Sequence, residues 1–195
     1  MWFLIFSVII ISIVGTLSHF LYDISNHNKV VGLFSAVNES TWEHVKIALT
    51  PTLLWGLVDG FIYGANQNYF LAKFASLLII IILMPALYYG HKAIIKKEIF
   101  ILDIISFYIV IIASQYLFYI ILKVDTIPYI IQYLSCAGIF LLFGGYMIHT
   151  LMPAKSFLFK DPLTKKYGYK AHSEEFSIMK NKKWNRGIIW KIKRV

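Results

Sequence analysis

The sequence predicts an all-α membrane protein, a polytopic bundle of about five transmembrane helices with a basic C-terminal tail. Three observations predict it. The 195 residues are 58% hydrophobic and only 15% charged, whereas a soluble domain has about a quarter of its residues charged. Stretches such as 77–87 and 104–112 are apolar nearly all round and leave no face for water. The apolar runs also recur at about the 20 residues that a helix needs to cross ~30 Å of hydrocarbon.

The first span, about 2–21, has no basic leading region and no small-residue cleavage site, so it reads as a retained helix. Along it Ser12, Gly15 and His19 recur at helical spacing, and Tyr22 and Asp23 continue the row. Small residues let helices approach closely, so this row is predicted to face the bundle.

The second span, about 45–64, is preceded by the densest polar block of the chain, S-A-V-N-E-S-T-W-E-H-V-K over 35–46. Asn38 or Ser40 is suited to cap a helix starting at Thr41, and Ser40 with Glu43 fits a capping box. Pro51 should kink that helix, with Thr50 answering the freed carbonyl. Three more spans follow at about 69–90, 99–122 and 128–151. In the last of them Ser135, Gly138, Leu142, Gly145 and His149 form a second small-residue row. Buried charge is costly in a span, so Asp59 is expected to meet Gln115, Tyr63 or Lys73. Cys136, the one cysteine, excludes a disulfide within the chain.

The chain thus divides into a five-span bundle, 1–152, and a tail, 153–195. Five spans place the segments 22–44, 91–98 and the tail on one side, and with Lys46 at its membrane boundary that side carries seventeen of the nineteen Lys and Arg residues. Short basic segments stay in the cytoplasm. The expected location is therefore the cell membrane, with the N-terminus outside and the C-terminus cytoplasmic. The tail carries the whole net charge of +9 and interleaves bases with Trp184, Ile188, Ile189 and Trp190. Its expected partner is membrane lipid with anionic headgroups, at about 1 kcal/mol per basic residue near the surface, and not nucleic acid.

All six histidines fall on the cytoplasmic side or at its boundary in this topology. Glu39 and Glu43 lie four residues apart with His44 adjacent, and like charges at that spacing repel unless a proton, cation or base intervenes. His19 and His149, carried inward by their rows, are expected to point at them. A divalent metal held by His19, Glu39, Glu43 and His149 is one reading, suited to zinc, or to iron or manganese with more oxygen ligands. General acid/base catalysis by Glu43 and His19, with Asp23 orienting the imidazole, is the allied one. Asn38, Glu39, Trp42 and His44 would then line the binding surface. The bland alternative has the histidines satisfied by backbone or headgroups, Glu43 as a cap and Glu39 in water. No HExxH, HxxxH or CxxC spacing fixes ligand geometry, and no GxSxG elbow argues for an acyl-enzyme.

The segments S-H-F-L-Y-D over 18–23, V-G-L-F-S-A-V-N-E-S-T-W-E-H-V-K over 31–46, Pro51, and F-K-D-P-L-T-K-K-Y-G over 159–168 resemble one family. It is a domain-of-unknown-function family of bacterial multi-pass membrane proteins, which joins a histidine-aromatic first-span end to a V-N-E-S-x-W-E-H block. The resemblance implies a helical membrane protein and brings no activity with it; residues 170–195 look like an extension beyond the motifs. Two functions remain open on these residues. One is an enzyme whose His/Glu pocket opens at the cytoplasmic leaflet and acts on a lipid or amphiphile. The other is a small transporter or a partner-binding subunit.

Overall fold

The computed structural model describes residues 2–96 and 99–171. Its order is α1 (Trp2–Ile24), α2 (Lys29–Phe34), α3 (Thr41–Tyr63), α4 (Tyr69–Ile95), α5 (Phe100–Ile121) and α6 (Tyr129–Leu151), then a 3-10 turn (Phe157–Phe159). Among the described residues there is no strand, only an isolated antiparallel bridge between Lys160 and Tyr167. Five helices are long and apolar enough to cross a membrane, and the chain is a multi-pass membrane protein.

The expected spans match these five helices within a few residues at most ends, because length and apolarity fix where a chain can cross. Two ends run on further. α1 continues to Ile24 and α4 to Ile95, where Lys96 closes it in the left-handed conformation at φ 56°. The short α2 was not expected; Asn28 caps it by accepting from the N–H groups of Val30 at 2.9 Å and Val31 at 3.4 Å.

α3 is the most deeply buried span, packed against α1 on one side and α4 on the other. Pro51 lies inside it and has no N–H for the carbonyl of Ile47. Thr50 does not supply that partner. Its hydroxyl meets Tyr146 Oη at 3.2 Å, while Thr52 bonds back to the Ala48 carbonyl at 2.8 Å. The Ile47 carbonyl instead faces Gly15, whose added Cβ would stand 2.7 Å from that oxygen and 2.7 Å from Phe107 Cζ. Of the expected α1 row, Ser12 and Gly15 do face inward, with Ser18 and Tyr22 beside them.

The most deeply buried charged residues of the spans, Glu43 with Lys46 and Asp59 with Lys73, are paired. Asp59 is fully buried and meets Lys73 Nζ, as one of the expected partners, and Tyr69 Oη at 2.8 Å. Lys73 also donates to the Thr52 carbonyl at 3.3 Å and lies over the Phe118 ring at 4.9 Å. At the same end of the bundle Asn68 donates to the Val124 carbonyl at 2.9 Å and accepts from Ile127 N–H at 3.0 Å, tying two loops together.

Since the α1/α3 approach depends on the absence of one methyl group, Gly15→Ala is expected to lower stability by about 1–3 kcal/mol. Thermal unfolding in detergent would show it as a lowered midpoint. An unchanged midpoint would mean that the contact is not tight.

Candidate functional site

The site is built by the segment that folds back between α1 and α3. Residues 35–38 and Ser40 are buried without regular structure, so their backbone groups need named partners. Ser35 Oγ donates to the Val31 carbonyl at 2.9 Å, and Asn38 Oδ1 accepts the Ser40 N–H at 2.8 Å. The expected capping box does not form. Ser40 is the N-cap of α3 but makes no side-chain cap bond. Glu43 reaches past it to accept the Val37 N–H at 3.0 Å.

The same Glu43 oxygen lies 2.7 Å from Lys46 Nζ, with both side chains almost wholly out of solvent. Lys46 also donates to the Gly32 carbonyl at 2.8 Å and Thr150 Oγ1 at 3.4 Å. Glu43, expected as base or ligand, is thus engaged in an ion pair linking α2, α3 and α6. The signal for this was present in the sequence as an acidic and a basic residue three apart on one helix.

The C-terminal motif closes over this segment. Asp161 is buried and organises a turn, accepting from Leu163 N–H at 2.9 Å and Thr164 Oγ1 at 2.7 Å. Gly168 follows in the left-handed region at φ 56° and accepts from Asn38 Nδ2 at 3.1 Å. Tyr169 Oη donates to the Lys29 carbonyl at 2.9 Å, and burial pushes its phenol up to about 12, so it remains a donor at neutral pH. Phe159 places its ring 4.8 Å from that of Trp42 and 5.1 Å from that of His149.

His149 therefore stacks on Phe159 rather than joining Glu39, and its Nδ1 donates to the Gly145 carbonyl at 2.7 Å. The expected α6 row holds over its first part, where Ser135 is buried, Gly138 packs on Phe74 and Leu142 on the core, but not at its end: Tyr146 and Thr150 are the buried residues there, and an added Cβ at Gly145 would meet nothing within 4 Å. Asp23 lies in an exposed pair with His27, 3.4 Å from its Nε2. His172 and residues 172–195, including the expected lipid-binding part of the tail, lie outside the described residues.

What the fold does bring together is His19, Glu39 and His44. His19 comes from the last turns of α1, Glu39 from the folded-back segment and His44 from the first turn of α3. Glu39 Oε1 stands 3.7 Å from His19 Nε2, and its Oε2 stands 3.7 Å from His44 Nε2. One ligand atom from each residue can be chosen so that all lie within 4.8 Å of one another. The side chains are about one-third exposed. Burial works against ionisation of Glu39, but the adjacent His19 and then the charge of His44 outweigh it and hold the carboxyl below its usual range.

His44 Nδ1 lies 3.0 Å from the Ser40 carbonyl, which can only accept, so this nitrogen carries the proton. On its other side His44 lines a cavity of about 20 Å³ with Thr41, Met84, Tyr88, Asp103, Ser106 and Phe107. That volume suffices for about one water molecule. His91, expected at a helix end, approaches Asp103 Oδ1 at 3.2 Å beside this cavity. Thr41 and Tyr89 hydroxyls meet at 2.9 Å nearby.

Compared with known sequences, the chain matches the model of a family described as a family of unknown function, DUF6512, over residues 1–169. No curated protein and no solved structure matches it.

Two measurements follow from the charged groups. Lys46→Met leaves Glu43 buried with the Val37 N–H still donating to it but without its counter-charge, and loss of one member of a buried pair costs about 3–5 kcal/mol. A midpoint equal to wild type would contradict the pairing. Glu39 titrates below its ordinary value of 4.5 in the folded protein. Its ionised contribution is present above that value and is lost as pH falls through the lowered one. Between about pH 6 and pH 3 the wild-type melting temperature should therefore fall more steeply than that of Glu39→Gln; parallel curves would exclude the linkage.

Proposed function

The chain belongs to that family of unknown function, and on this premise we propose that His19, Glu39 and His44 bind a divalent transition-metal ion at the cytoplasmic boundary of the membrane and use it on a lipid or other amphiphile. The observation that carries the reading is the aim of His44. In its neutral form, with its proton on Nδ1 and donated to the Ser40 carbonyl, the ring presents the lone pair of Nε2 to a carboxylate oxygen 3.7 Å away. Two acceptors facing each other repel. A cation or a proton between them removes the repulsion, and backbone bonding of the far nitrogen is the usual support of a metal-ligating histidine.

Ligands about 2.1 Å from one metal at a tetrahedral angle stand roughly 3.4 Å apart; the two imidazoles stand 3.7 Å from different oxygens of Glu39, and a set with one atom from each residue lies within 4.8 Å, so the three side chains would close in by up to about 1.4 Å around an ion. Two imidazoles and one carboxylate fill three positions. That leaves one open on a four-coordinate zinc ion and more on a larger coordination sphere. A metal so held polarises a bound oxygen or acidifies a bound water. The Lys and Arg asymmetry of the sequence supports a cytoplasmic placement for this end of the bundle, where the headgroups of the inner leaflet are the nearest ligands.

The test is metal content. Protein purified in detergent, loaded with zinc, iron(II) or manganese(II) and desalted, is expected to retain close to one ion per chain by elemental analysis. His19→Ala, Glu39→Ala and His44→Ala should each lower affinity by about 10-fold or more. His27→Ala, altering an exposed pair outside the cluster, should bind as wild type does. Failure of the wild type to retain any of these metals, or equal retention in the three variants, would overturn the reading.

A further inference from the structure

A second feature lies on the same helix seam. Ile10, Ile11 and Val14 of α1 and Pro51, Leu54 and Trp55 of α3 line an apolar groove of about 210 Å³. We infer that this groove holds one hydrocarbon chain of a membrane lipid whose headgroup lies at the His19–Glu39–His44 cluster. The inference rests on the metal-centre reading and narrows its substrate to a long-chain lipid, as distinct from a soluble headgroup compound.

The argument is one of register. α1 and α3 run side by side with His19 and His44 at one end, their ring centroids 5.8 Å apart. Below them Gly15 meets the Ile47 carbonyl, and next along the seam come Ile11, Val14, Pro51 and Leu54. From His44 to Pro51 and Trp55 is seven and eleven residues, or roughly 10 and 16 Å at 1.5 Å per residue. Half of the ~30 Å hydrocarbon core is about 15 Å. A lipid with its polar end at the cluster therefore has its chain at the depth of the groove, and no other part of a lipid reaches that depth.

The groove has walls as well as position. Pro51 is buried and rigid, and Trp55 is 8% exposed, its indole backed by Phe3 at 5.7 Å and Phe6 at 5.9 Å between ring centroids. Val14 and Leu54 are 40% and 52% exposed along the open side. A chain can thus enter laterally from the bilayer and lie against a fixed surface. The lining is wholly side chains of apolar type apart from the indole nitrogen, so it offers a hydrated or anionic ligand no partner.

The experiment uses the full-length protein in phosphatidylcholine nanodiscs containing a small fraction of phosphatidic acid with a photoactivatable diazirine at the middle of one acyl chain. Labelled peptides are mapped by mass spectrometry. Labelling of Ile10, Val14 and Leu54 is expected to exceed that of Phe140 and Leu141, which are more exposed on α6, by about tenfold, the ratio that about 1.4 kcal/mol of preference over bulk lipid gives. Val14→Trp should abolish the excess while leaving metal stoichiometry unchanged. Leu54→Trp serves if the first variant does not fold by size-exclusion chromatography and thermal midpoint. Uniform labelling around the bundle with metal retained would overturn the groove and leave the metal centre standing. Groove labelling unaffected by His44→Ala, or a wild type that holds no metal, would break the link between chain and cluster and overturn the proposal as stated.

Discussion

The buried pair of Glu43 and Lys46 is the interaction on which this arrangement depends. Taking either charge out of water costs several kcal/mol, and their attraction offsets it only when the remaining hydrogen-bonding groups are also answered. Here they are. The carboxylate takes the Val37 N–H, and the ammonium reaches the Gly32 carbonyl and the Thr150 hydroxyl. Each of those partners belongs to a different part of the chain. The pair therefore fixes α2, the folded-back segment and the end of α6 against the first turns of α3. Once that segment is fixed, Glu39 has one place to go, between the rings of His19 and His44.

A second constraint closes the same region from outside. The C-terminal motif is not a loose continuation of the bundle but a turn nucleated by buried Asp161 and docked through Phe159, Gly168 and Tyr169. Its backbone and rings meet Asn38, Trp42, His149 and Lys29. An added Cβ at Gly32 would stand 2.8 Å from the Tyr169 ring, so the glycine there gives the tyrosine its seat. The family match ends at residue 169, and Tyr169 contributes the last of these contacts. The structural unit thus comprises the spans together with the turn that seals one end of them.

Much of the fold was legible because crossing a membrane imposes a length and a composition that a sequence displays directly. The ends of α3, α5 and α6 fall close to the expected limits of the spans, and Asp59 found one of the three partners expected from the cost of leaving its charge unpaired. The site was legible in part. His19, Glu39 and His44 were visible as ionisable groups near one boundary, and the row of Ser12 and Gly15 gave the rotation of α1. The rotation of the end of α6 was not so given. Gly138 packs against Phe74, but Tyr146 and Thr150 are what the interior selects, because their hydroxyls meet Thr50 and Lys46. That choice turns His149 toward Phe159, a residue of the tail whose docking no periodicity encodes. The capping box expected of Glu43 is absent for a related reason. Whether a carboxylate caps, ligates or pairs depends on which neighbour reaches it first, and Lys46 is one turn away.

The distribution of lysines separates structure from site. Among the described residues of the spans two carboxylates are deeply buried, Glu43 toward one end and Asp59 toward the other, and each has a lysine within ion-pairing distance. Those pairs are neutral as units, and neutrality is what hydrocarbon surroundings demand of a buried charge. Glu39 is treated differently. Its ionic partners at 3.7 Å are two imidazoles, groups whose charge depends on pH and whose nitrogens serve equally as metal ligands. A chain that needed only to neutralise Glu39 had the simpler solution available and used it twice elsewhere. Two histidines instead surround this one partly exposed carboxylate, and one of them, His44, also lines a water-sized cavity. That is the physical distinction between the acid that holds α3 in place and the acid whose neighbours change charge with pH.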